Sequence, residues 1–237
     1  MTTDLQLAAR YAIYHAPAVD SAWWRFGAGW LGRDELRDLA LPQPRLAGLS
    51  PDRFAAATAG PRRYGFHATL KAPFRLRAGA SEQLLLRRLA EVAGTLGAVP
   101  LGALFPLQLD GFVALVPAGR PEGLHAVASH CVLQLDDLRA PLTQAELARR
   151  GPLDAIGASL LQRYGYPHVL ERFRFHLTLS GQVDDATAQV LLARAAEAVD
   201  ALQHGAAGCA RLDRLCLFRQ DHAHAPFLRI HDEALVP

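Results

Sequence analysis

Two similar eight-residue stretches occur in this chain of 237 residues, and this repeat constrains its fold more than any other feature. Residues 63–70 read RYGFHATL and residues 172–179 read RFRFHLTL, with Arg, Phe, His, Thr and Leu at matching positions. Internal similarity at a fixed spacing indicates related structural units within one protein. We therefore expect an α+β fold with two pseudo-twofold-related lobes, each with an antiparallel sheet, helices and one copy of the repeat, and a cleft between them.

The elements around the two copies are predicted in the same order, a strand followed by a helix and two further strands. Asp110-Gly111 between two apolar runs predicts a hairpin turn. A helix is predicted from Gln144 to about Tyr164, with Gly151-Pro152 as a candidate break. We predict a single bilobal domain over residues 1–237, with lobes at about 10–118 and 119–237. Other predicted segments are strands at 10–15, 64–74, 105–109, 112–116, 173–180, 212–218 and 227–231, helices starting near 20, 81, 124 and 184, and a long loop region over 41–63 with room for one turn of helix.

The strand period suggests a catalytic role for the repeat. Alternate residues of a strand point to the same face, so His67 should emerge with Thr69, and His176 with Thr178. Two imidazoles facing one cleft can divide the roles of general base and general acid near neutral pH. Two hydroxyls can donate hydrogen bonds to the oxygens of a phosphate in the transition state. These four groups predict phosphoester chemistry that requires no metal or other cofactor.

Lys71 is the sole lysine in a chain that contains 24 arginines. Continued alternation along the strand predicts that it lies on the face of His67 and Thr69, where its charge would bind phosphate. The matching position of the second copy is Ser180. The sequence therefore predicts an asymmetric site with more positive charge in one lobe.

Two tyrosines are further candidates for substrate binding. Tyr14 and Tyr11 lie on opposite faces of the first predicted strand, so at most one can face the cleft. Tyr166 lies in the loop before the second motif, where it could line the mouth of the cleft. We interpret the arginines at the entrances to the motif strands as surface ion-pairing residues; these are Arg62, Arg63 and Arg172.

The two motifs resemble those of the 2H phosphoesterase superfamily, in which two His-x-Thr or His-x-Ser motifs lie in a bilobal α+β fold. More narrowly, the chain resembles the DUF1045-like family, which is often associated with phosphonate-utilisation operons. The superfamily resemblance implies catalytic roles for His67 and His176 and phosphate-binding roles for Thr69 and Thr178, in cyclic phosphodiesterase or related chemistry. The operon-linked family implies a ribosyl cyclic phosphate as substrate. The supporting stretches are RYAIY (10–14), FGAGWLGR (26–33), YGFHATLKAPF (64–74), GFVALVP (111–117), RAPL (139–142), YGYP (164–167) and FRFHLTL (173–179).

The leading hypothesis is a metal-independent phosphoesterase that hydrolyses a cyclic phosphodiester of a ribose or nucleotide-like small molecule. Either histidine could be the base, because the halves are pseudo-equivalent. One alternative is an RNA end-processing phosphodiesterase or a 2′–5′ ligase-like enzyme. Another is a protein that binds a phosphate ligand without catalysis. No metal is expected at His222-Ala-His224, since the pair has no accompanying carboxylate or cysteine pattern.

Charge and composition narrow the class of partner and the compartment. The net charge of +2 does not favour an RNA partner, so a small-molecule phosphoester is preferred. Apolar runs are too short for a membrane span, and residues 1–4 lack the basic region of a secretory signal. Three cysteines without metal-ligand spacing are interpreted as reduced thiols. We therefore expect a cytoplasmic protein without a membrane partner; the sequence favours no oligomeric state.

Overall fold

The computed structural model describes residues 9–148 and 151–237, and the secretory-signal prediction for residues 1–4 lies outside them. Helices and antiparallel strands alternate along the chain, which confirms the α+β class. The strands are β1 (Arg10–His15), β2 (Arg33–Asp34), β3 (Leu39–Ala40), β4 (Ala68–Phe74), β5 (Val99–Gly102), β6 (Leu104–Leu109), β7 (Phe112–Pro117), β8 (Leu177–Gln182), β9 (Ala210–Leu212), β10 (Arg214–Gln220) and β11 (Leu228–Ala234). The helices are α1 (Ala22–Leu31), α2 (Pro51–Arg62), α3 (Glu82–Ala93), α4 (Leu124–Leu135), α5 (Gln144–Ala148), α6 (Ala155–Tyr164) and α7 (Asp185–His204), with 3-10 turns at Asp136–Leu138 and Leu170–Arg172.

Two larger sheets each contain one copy of the repeated motif at an edge. The four-stranded sheet has the order β11-β10-β1-β4, and the three-stranded sheet has the order β6-β7-β8. Strands β4 and β8 begin one residue after His67 and His176, later than predicted, and carry Thr69 and Thr178. The predicted hairpin joins β6 to β7, with positive φ at both Asp110 and Gly111 as a type I′ turn requires. Two short pairs, β2-β3 and β5-β9, complete the strand pairing within the described residues.

The sheets do not follow the predicted lobe boundary between residues 118 and 119. The hairpin β6-β7, from the first half of the chain, pairs with β8 from the second half. The hairpin β10-β11, from the second half, pairs with β1 from the first half. The lobes at 10–118 and 119–237 are therefore wrong as structural units, because each larger sheet combines strands from both halves.

Helices cover one face of each larger sheet. Helix α3 packs against β10 and β11, and α4 packs against β4. Helices α7 and α2 cover the three-stranded sheet through contacts with β6 and β8. The main apolar core lies between these helices and the sheets, where Leu85, Leu89 and Leu217 are fully buried. None of the helices in the described ranges is both long and apolar enough to span a membrane.

The segment predicted as a long loop contains the three-turn helix α2. Ser50 caps this helix by accepting a hydrogen bond from the backbone N–H of Arg53, and Pro51 occupies its first position. Phe54 and Thr58 are buried, and Pro61 falls close to the helix end. Because α2 packs against α1 and β8, it belongs to the core of the protein.

The helix predicted from Gln144 to about Tyr164 consists of two separate helices, α5 and α6. Residues 151–154, at the predicted break, have no helical structure, and residues 149–150 lie outside the described part of the chain. A new cap starts α6, where the Asp154 carboxylate accepts a hydrogen bond from the backbone N–H of Gly157.

Helix α1 holds the first motif through a close contact at a glycine. A Cβ atom at Gly27 would lie 1.9 Å from Cδ1 of Phe66, the residue that precedes His67. Phe66 is fully buried and packs edge-on against Phe26 at 5.9 Å between ring centroids. The missing side chain at Gly27 therefore leaves the space that Phe66 occupies.

Substitution of two glycines in α1 tests this contact. Gly27→Ala should lower the free energy of unfolding by about 1–3 kcal/mol, because the added methyl group overpacks against Phe66. Gly29→Ala is the matched control, since its Cβ would meet no atom within 4 Å and should stabilise the helix by up to about 1 kcal/mol. Urea denaturation measures both values, and equal effects of the two substitutions would contradict the proposed contact.

Candidate active site

One face of the four-stranded sheet gathers the residues around the first motif. Strands β1 and β10 pair in unbroken register, with Arg10 opposite Gln220 and Tyr14 opposite Cys216. Directly opposite residues point to the same face, so both pairs share a side that the sheet helices do not cover. We call it the site face. Its residues are Arg10, Ala12, Tyr14, Thr69, Cys216, Phe218 and Gln220.

His67 stands directly over Tyr14 on the site face. Thr69 pairs with Tyr14 across the strands, and the His67 ring stacks on the Tyr14 ring at 3.8 Å between centroids. Thr69 Oγ1 lies 3.4 Å from Nε2 of His67. The predicted shared face of His67 and Thr69 is therefore confirmed. Aromatic rings from Phe218 and Tyr64 lie at 6.2 Å and 6.0 Å from the imidazole.

Lys71 does not share the face of His67 and Thr69, and its predicted position in the cleft is wrong. The register between β1 and β4 shifts by one residue, so that Thr69 lies opposite Tyr14 but Lys71 lies opposite Ile13. Because adjacent residues of β1 point to opposite sides, this shift turns Lys71 toward the helix-covered face.

On the helix-covered face, the Lys71 ammonium group is buried and paired. Its Nζ lies 2.9 Å from Oδ1 of Asp136 and also bonds to the carbonyl oxygen of Val132 in α4. Arg139 donates to both oxygens of the same carboxylate. Burial lowers the pKa of Lys71, and the adjacent Asp136 partly opposes that shift. Lys71 therefore anchors the helix layer to the sheet.

The two motif histidines form the same backbone hydrogen bond. Nδ1 of His67 lies 2.9 Å from the carbonyl oxygen of Gly65, and Nδ1 of His176 lies 2.9 Å from the carbonyl oxygen of Arg174. A carbonyl oxygen only accepts, so Nδ1 must carry the proton in both rings. Each neutral imidazole therefore has an unprotonated Nε2 that can accept a proton.

The pKa values of both motif imidazoles are shifted downward. Burial lowers the pKa of His67 to about 4, the hydrogen bond to Gly65 opposes this, and the charge of His176 adds to it. Burial also lowers the pKa of His176, though less strongly, and the nearby charge of His168 acts in the same direction. Both rings are therefore neutral at pH 7 when the site is empty.

The second motif has a more open environment than the first. His176 is only partly buried and lies 5.7 Å from the ring of Phe112 between centroids. Thr178 is half-buried and pairs with Ala114 of β7. The stacked aromatic floor of His67 has no equivalent here, so the two halves differ in polarity.

The two candidate tyrosines occupy different layers. Tyr14 is buried beneath His67, and burial raises its pKa well above the ordinary value. Tyr11 lies on the opposite face, as predicted, and donates a hydrogen bond to Glu82. Tyr166 is half-buried, with its ring centroid 5.4 Å from that of His168. We propose substrate contact for Tyr166 and Tyr14 on the sequence pattern alone.

A buried polar cluster behind His67 was not found from the sequence. Gly65 has a φ of 79°, and a Cβ there would lie 2.7 Å from Cβ of Glu35. The fully buried Glu35 carboxylate accepts from the indole N–H of Trp24 and lies 3.6 Å from Arg229. Arg174 replaces Gly65 in the second repeat, and this difference was the available signal of a special backbone conformation at Gly65.

The three arginines at the entrances to the motif strands form hydrogen bonds with groups other than the two motif histidines. Arg62 donates to the carbonyl oxygen of Leu31, Arg63 to that of Ala223, and Arg172 to the carboxylate of Asp154. In the part of the chain that the structure describes, no group of three or more His, Cys, Asp or Glu residues could hold a metal ion.

Comparisons with known proteins match most of the chain. The family described as "Protein of unknown function (DUF1045)" matches residues 69–228. A protein of Janthinobacterium sp. (strain Marseille) named "Ribose 1,5-bisphosphate phosphokinase PhnN" is 40% identical over 227 residues, which cover 92% of this chain and 49% of that protein. A protein of the same name from Laribacter hongkongensis (strain HLHK9) is 42% identical over 223 residues, covering 92% and 50%. The chain thus spans about half the length of these curated relatives.

The protonation state of the two imidazoles can be measured by nitrogen-15 NMR across a pH series. We expect the Nδ1–H tautomer for His67 and His176 at pH 7 and a titration midpoint near pH 4 for His67. Between about pH 6.5 and pH 4 the unfolded chain binds this proton more readily than the folded protein does. The free energy of unfolding should therefore fall as the pH is lowered through that interval. An Nε2–H tautomer in the folded protein would contradict the backbone hydrogen bonds.

Two substitutions at Lys71 test its structural role. Lys71→Ala should lower the free energy of unfolding by about 2–4 kcal/mol, because it removes a buried side chain and half of an ion pair. Lys71→Met should cost less, since it keeps the buried volume and Asp136 retains Arg139. Urea denaturation and phosphate binding are compared for both. If the variants keep the stability of the wild type but lose phosphate binding, Lys71 contacts the phosphate in the cleft and the structural role is wrong.

Proposed function

The chain belongs to the DUF1045 family, and from this starting point we propose that it is a metal-independent phosphoesterase that hydrolyses a cyclic phosphodiester of a ribose or nucleotide-like small molecule. The observation that supports this most directly is the matched hydrogen bonding of His67 and His176, which leaves Nε2 of each ring unprotonated and available for proton transfer. We also propose that the chain is a member of the 2H phosphoesterase superfamily, with one motif in each larger sheet on either side of a cleft.

In the proposed reaction, His67 is the general base and His176 the general acid. His67 has the lower pKa and is therefore neutral over the wider pH range. Its Nε2 takes a proton from water while the water oxygen forms a new bond to phosphorus. Protonated His176 gives its proton to the ribose oxygen whose bond to phosphorus breaks. The product is a phosphate monoester with one free hydroxyl on the sugar.

The threonines supply hydrogen bonds as charge builds on the phosphate. Thr69 Oγ1 lies 3.4 Å from Nε2 of His67, so one phosphate group can contact both side chains at once. Thr178 follows His176 at the same spacing. Hydroxyl donors aimed at the non-bridging oxygens stabilise the transition state more than the ground state.

The names of the relatives favour a ribose phosphate as the substrate class. Each relative is about twice as long as this chain, so the kinase activity in its name can belong to the other half. The chain has no Gly-x-x-x-x-Gly-Lys-[Ser/Thr] sequence for cradling nucleotide phosphates, and its sole lysine, Lys71, is buried against Asp136. We therefore assign the kinase reaction to the remainder of those proteins. Hydrolysis of a ribose phosphate ester, in phosphonate metabolism, is assigned to the part that resembles this chain.

Alanine substitutions at the two motif histidines test the assignment. His67→Ala and His176→Ala should each reduce kcat on a ribose cyclic phosphate by about 10²- to 10⁴-fold, the usual contribution of a general acid or base. The control is His222→Ala, an exposed histidine in the turn between β10 and β11. Chelators should leave turnover unchanged. Recovery of intact substrate after long incubation, with binding lost in both variants, would instead indicate a ligand-binding protein.

The pH dependence of turnover follows from the pKa shifts. We expect a bell-shaped profile of kcat/KM that rises through about pH 4 as His67 becomes neutral and falls at a pH below 6.5 as His176 loses its proton. The profile of kcat should lie at higher pH, because a bound phosphate anion stabilises both imidazolium forms. A kcat/KM profile that is flat between pH 4 and pH 8 would contradict the two-histidine mechanism.

A further inference from the structure

A cavity of about 300 Å³ adjoins the site face. We propose that it binds a second, distal phosphate group of the substrate, with Arg10 as the specificity-determining residue. The inference rests on the proposed function, because it concerns the substrate of the same site. The cavity is lined by Arg10, Ala72, Pro73, Phe74, Arg75, Arg139, Ala140, Leu142, Glu146, Tyr164, Gly165 and Tyr166.

Arg10 lies on the face that carries the first motif. It is four residues from Tyr14 on β1, where register is regular and alternate residues share a face. Its guanidinium carbon lies 5.7 Å from the ring centroid of Phe227, and that centroid lies 6.2 Å from the ring centroid of Tyr14. Tyr14 in turn stacks on His67. Arg10 is therefore joined to the reacting centre by two aromatic rings.

The charge of Arg10 is not used within the fold. Its Nε and Nη2 atoms both donate to the side-chain oxygen of Gln220, a neutral group that holds the guanidinium in place. Among the described residues, Arg10 forms an ion pair with no carboxylate. The other cavity-lining arginines each have a carboxylate partner, because Arg75 pairs with Glu146 and Arg139 with Asp136.

The surroundings of the cavity add to this positive charge. Asp136 is shared between Arg139 and Lys71, so one carboxylate serves two cations. With Arg10 and Arg75, four cations stand against the two carboxylates of Asp136 and Glu146. An anion entering the cavity would therefore meet a local excess of positive charge.

The chemistry of the cavity identifies its ligand as a phosphate monoester. A guanidinium held by a neutral partner retains N–H donors suited to the oxygens of a phosphate, and its charge persists at every physiological pH. The cavity volume is at the lower end for small-molecule sites, so it suits a short phosphorylated arm. We infer a ribose that carries a cyclic phosphodiester at the histidines and a second phosphate at Arg10.

Paired substrates test the inference directly. We compare kcat/KM for a ribose cyclic phosphate with and without a phosphate at its 5-position, using the wild type, Arg10→Gln and Arg10→Lys. The wild type should prefer the 5-phosphorylated substrate. Arg10→Gln should lose roughly tenfold to hundredfold on that substrate alone, as expected for one charge-assisted hydrogen-bonded contact. Arg10→Lys should lose less, because it keeps the charge but not the guanidinium geometry.

The control variant is Arg88→Gln, which removes an equal charge from α3, where Arg88 bonds to Asp137. This variant should leave kcat/KM unchanged for both substrates. Equal losses of Arg10→Gln on both substrates, or no preference in the wild type, would overturn the proposal. An RNA oligonucleotide ending in a 2′,3′-cyclic phosphate is the third substrate. If it is preferred over both ribose esters, the cavity accommodates a polynucleotide and the inference is wrong.

Binding separates failure of this inference from failure of the proposed function. Calorimetry with ribose 5-phosphate should show weaker binding to Arg10→Gln than to the wild type or to Arg88→Gln. If no cyclic ester is hydrolysed but this difference is found, the proposed function is wrong and the subsite is supported. If cyclic esters are hydrolysed but the difference is absent, the subsite is wrong and the proposed function is supported.

Discussion

Both imidazoles of the candidate site depend on one backbone interaction, the hydrogen bond from Nδ1 to a carbonyl oxygen two residues earlier. It fixes the rotation of each ring and assigns the proton to Nδ1, so that Nε2 is the atom available for chemistry. For His67 the carbonyl belongs to Gly65, whose positive φ brings the backbone against the buried side chain of Glu35. Trp24 of α1 donates its indole N–H to that carboxylate. The orientation of a proton-transfer atom is thus supported by a carboxylate that does not touch it.

The two halves of the site are similar in backbone and different in surroundings. His67 rests on Tyr14, with Phe218 beside the pair, whereas His176 has Phe112 as its aromatic neighbour and is partly open. Burial therefore lowers the pKa of the first imidazole more strongly than that of the second. A duplicated motif by itself would give two interchangeable groups. In the proposed reaction, the unequal burial allows one ring to accept a proton and the other to donate one.

Local patterns in the sequence were sufficient for the presence of the two motif strands, although each begins after its histidine, and for the type I′ hairpin and the shared face of His67 and Thr69. The side of Lys71 was not predictable, because strict alternation fails where β4 slips by one residue against β1. That slip depends on how two strands separated in sequence pair, and no local pattern records it. Arg10 was missed for the same reason, since its place on the site face follows from pairing with β10. The length of helix α2 was missed because its prolines and glycine suggested a loop with one helical turn, although Ser50 and Pro51 form an ordinary helix start.

The crossing of the two hairpins between the sheets has a consequence for folding during synthesis. Strand β1 is made first, but its partner β10 begins at Arg214, so about two hundred residues separate strands that must pair. The sheet that carries His67 therefore lacks two of its four strands until most of the chain has left the ribosome. Until then the edge of β1 that β10 later covers is unprotected, which favours association with other chains. The same crossing that completes both larger sheets thus makes the nascent chain dependent on late completion or on chaperones.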